Sequence, residues 1–116
     1  MAKVMLVDDD RTTIKLIQTL LELDGFEVAT AVSGGASLPL AESFHPDVVL
    51  LDYHLTDMTG IDVVRELRAN GFADLPIIIT SGLDVSYETL NAGANQFLLK
   101  PFEPDELPNL LRQLIG

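Results

Sequence analysis

Five short runs of apolar residues alternate with five segments of helical periodicity along this chain. The runs are Lys3–Val7, 26–31, 48–51, 77–79 and 96–99. Short strands that are apolar throughout are typical of a parallel sheet buried on both faces. Right-handed crossovers between such strands give an open, doubly wound three-layer α/β sandwich. We therefore predict one domain over residues 1–116, with a five-stranded parallel sheet and five helices.

The helical segments differ in strength. We predict helices over 11–24, 61–69, 84–92 and 103–115. A further helix, the second along the chain, is predicted to end at about residue 44. Gly25 is expected to end the first helix. Pro39 predicts a short and irregular second helix, because proline fits the first turn of a helix but breaks its interior. The fourth helix is weak, and Pro108 is awkward inside the last one.

Charge and composition exclude several classes of protein. The chain carries 18 acidic and 7 basic residues, a net charge of -11, so it is expected to repel the nucleic acid backbone and anionic lipid surfaces. It has no cysteine, which excludes disulfide scaffolds and thiol chemistry. No apolar run is long enough to span a membrane, and the N-terminus does not read as a targeting signal. A cytoplasmic protein that binds neither nucleic acid nor membrane is the expectation.

Polar and charged side chains follow four of the five predicted strands. In a parallel sheet the carboxyl ends of all strands share one edge, which is where ligands bind in doubly wound folds. We therefore expect these side chains to form a single site. In strand order they are Asp8, Asp9, Asp10, Asp52, Thr80, Ser81 and Lys100. Of these, Asp10 is expected to serve as the N-cap of the first helix.

Grouped carboxylates need a compensating cation. Two such charges about 4 Å apart repel by roughly 4 kcal/mol at an effective dielectric of about 20. A cluster of oxygen ligands selects Mg²⁺ or Mn²⁺ over Zn²⁺. With Lys100 and Thr80 nearby, these parts suit a phosphoryl group, yet no glycine-rich phosphate loop is present. A carboxylate is then the expected carrier, and Asp52 is the candidate nucleophile.

The motifs resemble those of a known family. They are VMLVDDD at 4–10, VVLLD at 48–52 with Gly60 eight residues on, IIITS at 77–81 and AGANQFLLKP at 92–101. In this order and spacing they resemble the receiver domain of two-component response regulators, of the chemotaxis-regulator type. The resemblance covers the whole chain and implies a flavodoxin-like sheet in the order 2-1-3-4-5.

The resemblance implies roles for the acidic residues. Asp52 matches the phosphoacceptor, Asp9 a direct ligand of Mg²⁺, and Asp8 its partner in binding the ion. The backbone carbonyl of His54 takes the place of the third protein ligand. The domain is then no enzyme in the usual sense, because it catalyses only its own phosphorylation and dephosphorylation.

The remaining matched positions concern switching. Thr80, with Ser81 beside it, resembles the switch hydroxyl, and Lys100 resembles the lysine that pairs with the acceptor and then with the phosphate. The bond before Pro101 is usually cis in the family. Phe97 occupies the position of the family's rotating aromatic residue. Because a phenyl ring lacks the hydroxyl of tyrosine, it can transmit a change only through its packing and burial. Signalling is expected through the face formed by the fourth helix, fifth strand and fifth helix.

Partners follow from the same resemblance. They are a sensor histidine kinase or a histidine phosphotransfer protein, and downstream a separate protein or a tethered effector domain. A phosphorylation-dependent dimer through the signalling face is a further expectation. Three features depart from the family pattern: Thr56 stands where proline is usual, Pro39 lies in the second helix, and the fourth helix is short.

Two other classes of function compete with this interpretation. A pseudo-receiver would be a phosphorylation-independent interaction module, but it usually lacks one of the key residues, and none is missing here. A phosphatase of the haloacid dehalogenase type would use Asp8 and Asp10 and would leave Asp52 unexplained. A flavodoxin would need a hydroxyl-rich loop after the first strand, where this chain is acidic.

Overall fold

Five parallel strands form a single sheet in the order β2-β1-β3-β4-β5 in the computed structural model, which describes all residues from Met1 to Gly116. This confirms the predicted fold class. The sheet consists of β1 (Lys3–Val7), β2 (Glu27–Ala31), β3 (Val48–Asp52), β4 (Ile77–Ser81) and β5 (Gln96–Leu99).

Five α-helices connect and cover these strands. Two single turns of 3₁₀ helix, Gly34–Ala36 and Pro104–Glu106, precede the second and fifth helices. The helices are α1 (Arg11–Leu23), α2 (Ser37–Phe44), α3 (Gly60–Ala69), α4 (Ser86–Asn91) and α5 (Leu107–Ile115).

The sheet separates two hydrophobic cores. Alternate residues of the central strands point to opposite faces, so both faces of the sheet are apolar. One core packs the sheet against α2 and α3, through residues such as Ala41 and Leu67. The other packs it against α1 and α5, through residues such as Ile17 and Leu111. All five residues of β3 are buried, as expected for the middle strand of a covered parallel sheet.

The end of α1 shows how local sequence sets a boundary. Gly25 has a φ of +94°, and its N–H donates to Glu22 while the N–H of Phe26 donates to Leu21. This is the closing pattern that favours glycine after a helix, so the predicted role of Gly25 is confirmed. Because Phe26 is used in that closure, β2 begins at Glu27 and not at residue 26 as predicted.

The three prolines within helical segments, Pro39, Pro104 and Pro108, lie in first turns. The 3₁₀ turn ends at Ala36, so α2 begins late and places Pro39 where no intrahelical N–H is needed. The predicted short, irregular second helix is confirmed. The prediction of one continuous last helix over 103–115 was wrong, because a 3₁₀ turn covers Pro104–Glu106 and α5 begins at Leu107. Pro108 is therefore at the start of a helix and is not awkward.

The boundaries of β4 and α4 also differ from the prediction. The fourth strand continues to Ser81, since Thr80 and Ser81 pair with Leu98 and Leu99 in the sheet. The weak fourth helix is shorter still, covering six residues, Ser86–Asn91. None of the helices is long and apolar enough to cross a membrane.

Candidate functional site

Three carboxylates meet at the carboxyl edge of the sheet. Asp8 and Asp9 follow β1, and Asp52 ends β3, the strand beside it. One carboxylate oxygen of each residue lies within 4.8 Å of the others. The two adjacent strands therefore bring together the acidic residues that the sequence predicted.

Asp8 is the most constrained of the three. The residue is 5% exposed, and one of its carboxylate oxygens accepts a hydrogen bond from the N–H of Asp10 at 2.9 Å. Burial raises the pKa of Asp8, and the nearby charge of Asp52 raises it further, while the bond from Asp10 and the charge of Lys100 oppose the shift. A cation bound among these oxygens would remove the cost of holding them charged.

Lys100 supplies the one positive charge in direct contact with the cluster. Its Nζ lies 3.3 Å from Oδ1 of Asp52, in a pair whose lysine side chain is 36% exposed and whose aspartate side chain is 10% exposed. The backbone N–H of Lys100 donates to the carbonyl of Ser81, which fixes the end of β5 against β4. The peptide bond between Lys100 and Pro101 is cis, as the resemblance implied.

A small cavity of about 30 Å³ lies beside Asp52. Asp8, Thr80 and Lys100 contribute to its wall. Thr13 of α1 and Phe102 also line it, and neither was predicted. Thr13 lies in the first turn of α1 and Phe102 lies two residues beyond Lys100. Both are therefore near predicted site residues in the sequence, but only the tertiary structure shows that their side chains line the cavity.

Ser81 and Phe97 are placed differently from Thr80. Ser81 is fully buried, and its hydroxyl accepts a hydrogen bond from the N–H of Leu83 at 3.1 Å. It does not line the cavity beside Asp52. Phe97 pairs with Ile79 and packs on the α2–α3 core, whereas Thr80 faces the cavity on the other side of the sheet. Any coupling between Thr80 and Phe97 must then pass through the strand backbones.

The loop after β3 is held close to Asp52. Exposed His54 pairs with Thr59 in an isolated antiparallel bridge, and its ring meets that of Tyr53 edge to face. A Cβ on Gly60 would lie 2.9 Å from the carbonyl oxygen of Asp52, so only glycine fits this close approach. The backbone of His54 is thus anchored two residues beyond the acceptor candidate.

Asp10 stays outside the carboxylate cluster. Its side chain caps α1, accepting hydrogen bonds from the backbone N–H groups of Thr12 and Thr13 and from the Thr13 hydroxyl. These bonds lower the pKa of Asp10. The phosphatase interpretation requires the Asp10 side chain to act in the site together with Asp8. Because the Asp10 side chain caps α1, the geometry disfavours that interpretation.

Comparison with known proteins identifies the family. The model of the response regulator receiver domain family matches residues 4–112. The chain belongs to the receiver domains of response regulators. Among its relatives, the cell cycle transcriptional regulator CtrA of Caulobacter vibrioides is 38% identical over 108 residues, which are 90% of this chain and 46% of that protein. The regulatory protein AtoC of Escherichia coli is 35% identical over 96% of this chain and 24% of its own length. The receiver domain thus spans half or less of the length of these curated relatives.

Solved structures agree over almost the whole chain. The Francisella response regulator 1452 receiver domain superposes with a TM-score of 0.91 at 31% identity, covering 99% of this chain and 97% of that one. The receiver domain of the sensor histidine kinase PA1611 from Pseudomonas aeruginosa gives 0.89 at 31% identity, covering 99% and 98%. That structure has a magnesium ion coordinated in its active site cleft.

Proposed function

We propose that this receiver domain accepts a phosphoryl group on Asp52 and changes its signalling face in response. The observation that carries the proposal is the contact of Asp52 with Lys100 inside the cluster formed with Asp8 and Asp9. A structural ion pair alone would not need two further carboxylates packed beside it. The complete set of acceptor, acidic pair, hydroxyl and lysine favours phosphorylation over a pseudo-receiver role.

The donor set suits a divalent cation of the Mg²⁺ class. The cluster offers oxygen ligands alone, and Mg²⁺ commonly takes one or two carboxylates together with phosphate oxygens. Asp8, Asp9 and Asp52 would hold the ion, with the backbone carbonyl of His54 as a further ligand. When bound, Mg²⁺ or Mn²⁺ would neutralise charge on the transferring group.

The residues of the chain then have distinct tasks. A carboxylate oxygen of Asp52 forms the new bond to phosphorus as the bond from phosphorus to the donor's nitrogen or oxygen breaks. The ammonium group of Lys100, already beside Asp52, stays near the phosphoryl oxygens, and the hydroxyl of Thr80 donates to one of them. Hydrolysis returns Asp52 to its carboxylate form, so the domain catalyses only its own phosphorylation and dephosphorylation.

The signalling face is formed by α4, β5 and α5. Phosphorylation adds about 1.5 to 2 negative charges next to Thr80. Movement of Thr80 toward that charge shifts β4 and the short α4, and Phe97 responds through its packing. The hydroxyl of Ser81 holds the turn to Leu83 at the start of this segment. A histidine kinase or histidine phosphotransfer protein is the donor, and a separate or tethered effector reads the change.

Mass spectrometry tests the acceptor. Acetyl phosphate with Mg²⁺ should add one base-labile phosphoryl group to the wild type and none to Asp52→Asn. Asp74→Asn is the matched control, because Asp74 is exposed and far from the cluster in the loop before β4, and it should be phosphorylated normally. Phosphate recovered on Thr80 or Ser81, or addition to Asp52→Asn, contradicts the proposal and favours the pseudo-receiver.

A further inference from the structure

A groove runs between β5, at the edge of the sheet, and α5. Its volume is about 400 Å³, within the range of binding clefts. Leu98, Phe102 and Leu110 provide its apolar surface, and each of them is only partly buried. All the residues that line the groove lie within 96–113, and β5 pairs only with β4, so its other edge is not covered by a strand.

The rim of this β5–α5 groove is acidic. Glu103, Asp105 and Glu106 are exposed along it, and none of them forms an ion pair. No lysine or arginine lines the groove. An apolar surface bordered by unpaired carboxylates complements a segment that carries both apolar and cationic side chains.

The charge of the surrounding face argues against a second copy as the occupant. Between residues 83 and 115 the only cations are Lys100 and Arg112, and both are already paired, with Asp52 and Asp24. In a two-fold symmetric dimer the same patch meets itself, so carboxylates would face carboxylates. The carboxylates of this stretch are Asp84, Glu88, Glu103, Asp105 and Glu106.

We propose that the β5–α5 groove docks a cationic amphipathic segment of a separate partner protein, and that this face does not form a dimer. The proposal rests on the proposed function in that it names the partner chemistry of the same signalling face. Apolar side chains of the segment contact Leu98, Phe102 and Leu110. Its lysines or arginines pair with the carboxylates of the rim.

A defined peptide tests the docking. The probe is a synthetic amphipathic peptide with leucine on one face and lysine on the other, titrated by NMR into the domain with and without beryllofluoride. It should shift resonances of residues 96–113, and binding should weaken as salt rises. The same peptide with glutamate in place of lysine should not bind.

Two triple variants separate the groove from general charge attraction. The first variant combines Glu103→Gln, Asp105→Asn and Glu106→Gln. It should weaken binding of the lysine peptide about tenfold, as expected for the loss of three exposed charge contacts. The control variant, Glu22→Gln, Glu27→Gln and Glu42→Gln, alters net charge equally at exposed sites elsewhere and should bind like the wild type. Equal binding by both variants overturns the proposal.

Two further measurements complete the test. Sedimentation of the beryllofluoride-treated domain should show a monomer, and a dimer that protects residues 96–113 overturns the choice of occupant. Phosphorylation of Asp52 by acetyl phosphate and Mg²⁺ is measured in parallel samples without beryllofluoride, and the lysine peptide is titrated into those samples as well. Absence of phosphate on Asp52 contradicts the proposed function alone, whereas phosphorylated protein that does not bind the lysine peptide contradicts the groove proposal alone.

Discussion

Asp57 links two loops at the edge of the candidate site. Its two carboxylate oxygens accept hydrogen bonds from the N–H groups of Gly34 and Gly35, at 2.9 and 2.8 Å. These bonds lower the pKa of Asp57. The loop that follows Asp52 is thereby tied to the turn before α2, a connection that the sequence did not reveal.

Asp57→Asn should destabilise the domain in a pH-dependent way. An amide offers one acceptor oxygen where the carboxylate offers two, so one loop bond is lost. Folding lowers the pKa of Asp57. The ionised carboxylate therefore stabilises the folded state fully above the ordinary aspartate pKa, and this stabilisation is lost as the pH falls through the lowered pKa of the folded state. The difference in thermal midpoint between wild type and variant should therefore be largest near neutral pH and shrink below about pH 4. A difference that is constant with pH contradicts this role.

Arg68 holds the far end of α4 in place from α3. Its guanidinium donates to the backbone carbonyls of Phe72, Leu75 and Gly93 and to the side chain of Asn95, over distances of 2.7 to 3.2 Å. The same oxygen of Asn95 accepts a bond from the N–H of Ile77 at the start of β4. The end of α4 remote from Asp52 is thus fixed by these bonds, whereas at its start the N–H and hydroxyl of Ser86 donate only to the exposed side chain of Asp84.

Arg68→Gln should lower the free energy of unfolding by about 2 kcal/mol, because several partly buried carbonyls lose a charged donor. The matched control is Arg65→Gln on the same helix, where the exposed arginine makes no ion pair or side-chain hydrogen bond, and its effect should stay within about 0.5 kcal/mol. Urea denaturation measures both values. Equal effects of the two substitutions would show that the Arg68 contacts contribute nothing specific.

Thr80→Ala separates phosphorylation from its transmission. The variant should still accept a phosphoryl group on Asp52, because Lys100 and the acidic cluster are unchanged. Amide exchange over residues 83–98 should respond less to beryllofluoride than in the wild type, since the phosphoryl group can shift the two states only by its differential contacts with them. Thr80→Ser keeps the hydroxyl and should restore the response. A full response in Thr80→Ala argues against the switch role of Thr80.

For the whole molecule, the acidic cluster should couple metal binding to stability. A ligand that binds only the folded state at a hundredfold excess over its Kd adds about 2.7 kcal/mol. Mg²⁺ should therefore raise the thermal midpoint of the wild type, and Asp9→Ala or Asp52→Ala should abolish the rise. Asp47→Ala removes a carboxylate at the opposite edge of the sheet, where Asp47 accepts a bond from the N–H of Lys3, and should leave the shift intact. Equal shifts in all variants would mean that the cluster is no metal site.

The sequence predicted the sheet, its strands and the position of the acidic site. The pattern of short apolar runs is local, and in a parallel sheet it fixes which strand ends share an edge. Asp8, Asp9, Asp52, Thr80 and Lys100 were named from that rule and from the resemblance, and the structure brings them together. The Gly25 helix end was also predictable, because its hydrogen bonds join residues within a few positions of one another.

Tertiary structure alone decided the rest. Whether Pro108 lies inside a helix or at its start depends on where α5 begins, which packing of Leu107 and Leu111 against the sheet sets. The hydrogen bonds that Asp57 accepts from Gly34 and Gly35 join residues 22 or more positions apart, and no local pattern encodes such a pair. The face of β5 on which Phe97 lies follows from the pairing of β5 with β4. The acidic groove beside α5 follows from the packing of that helix near β5. Neither could be predicted from a local sequence pattern.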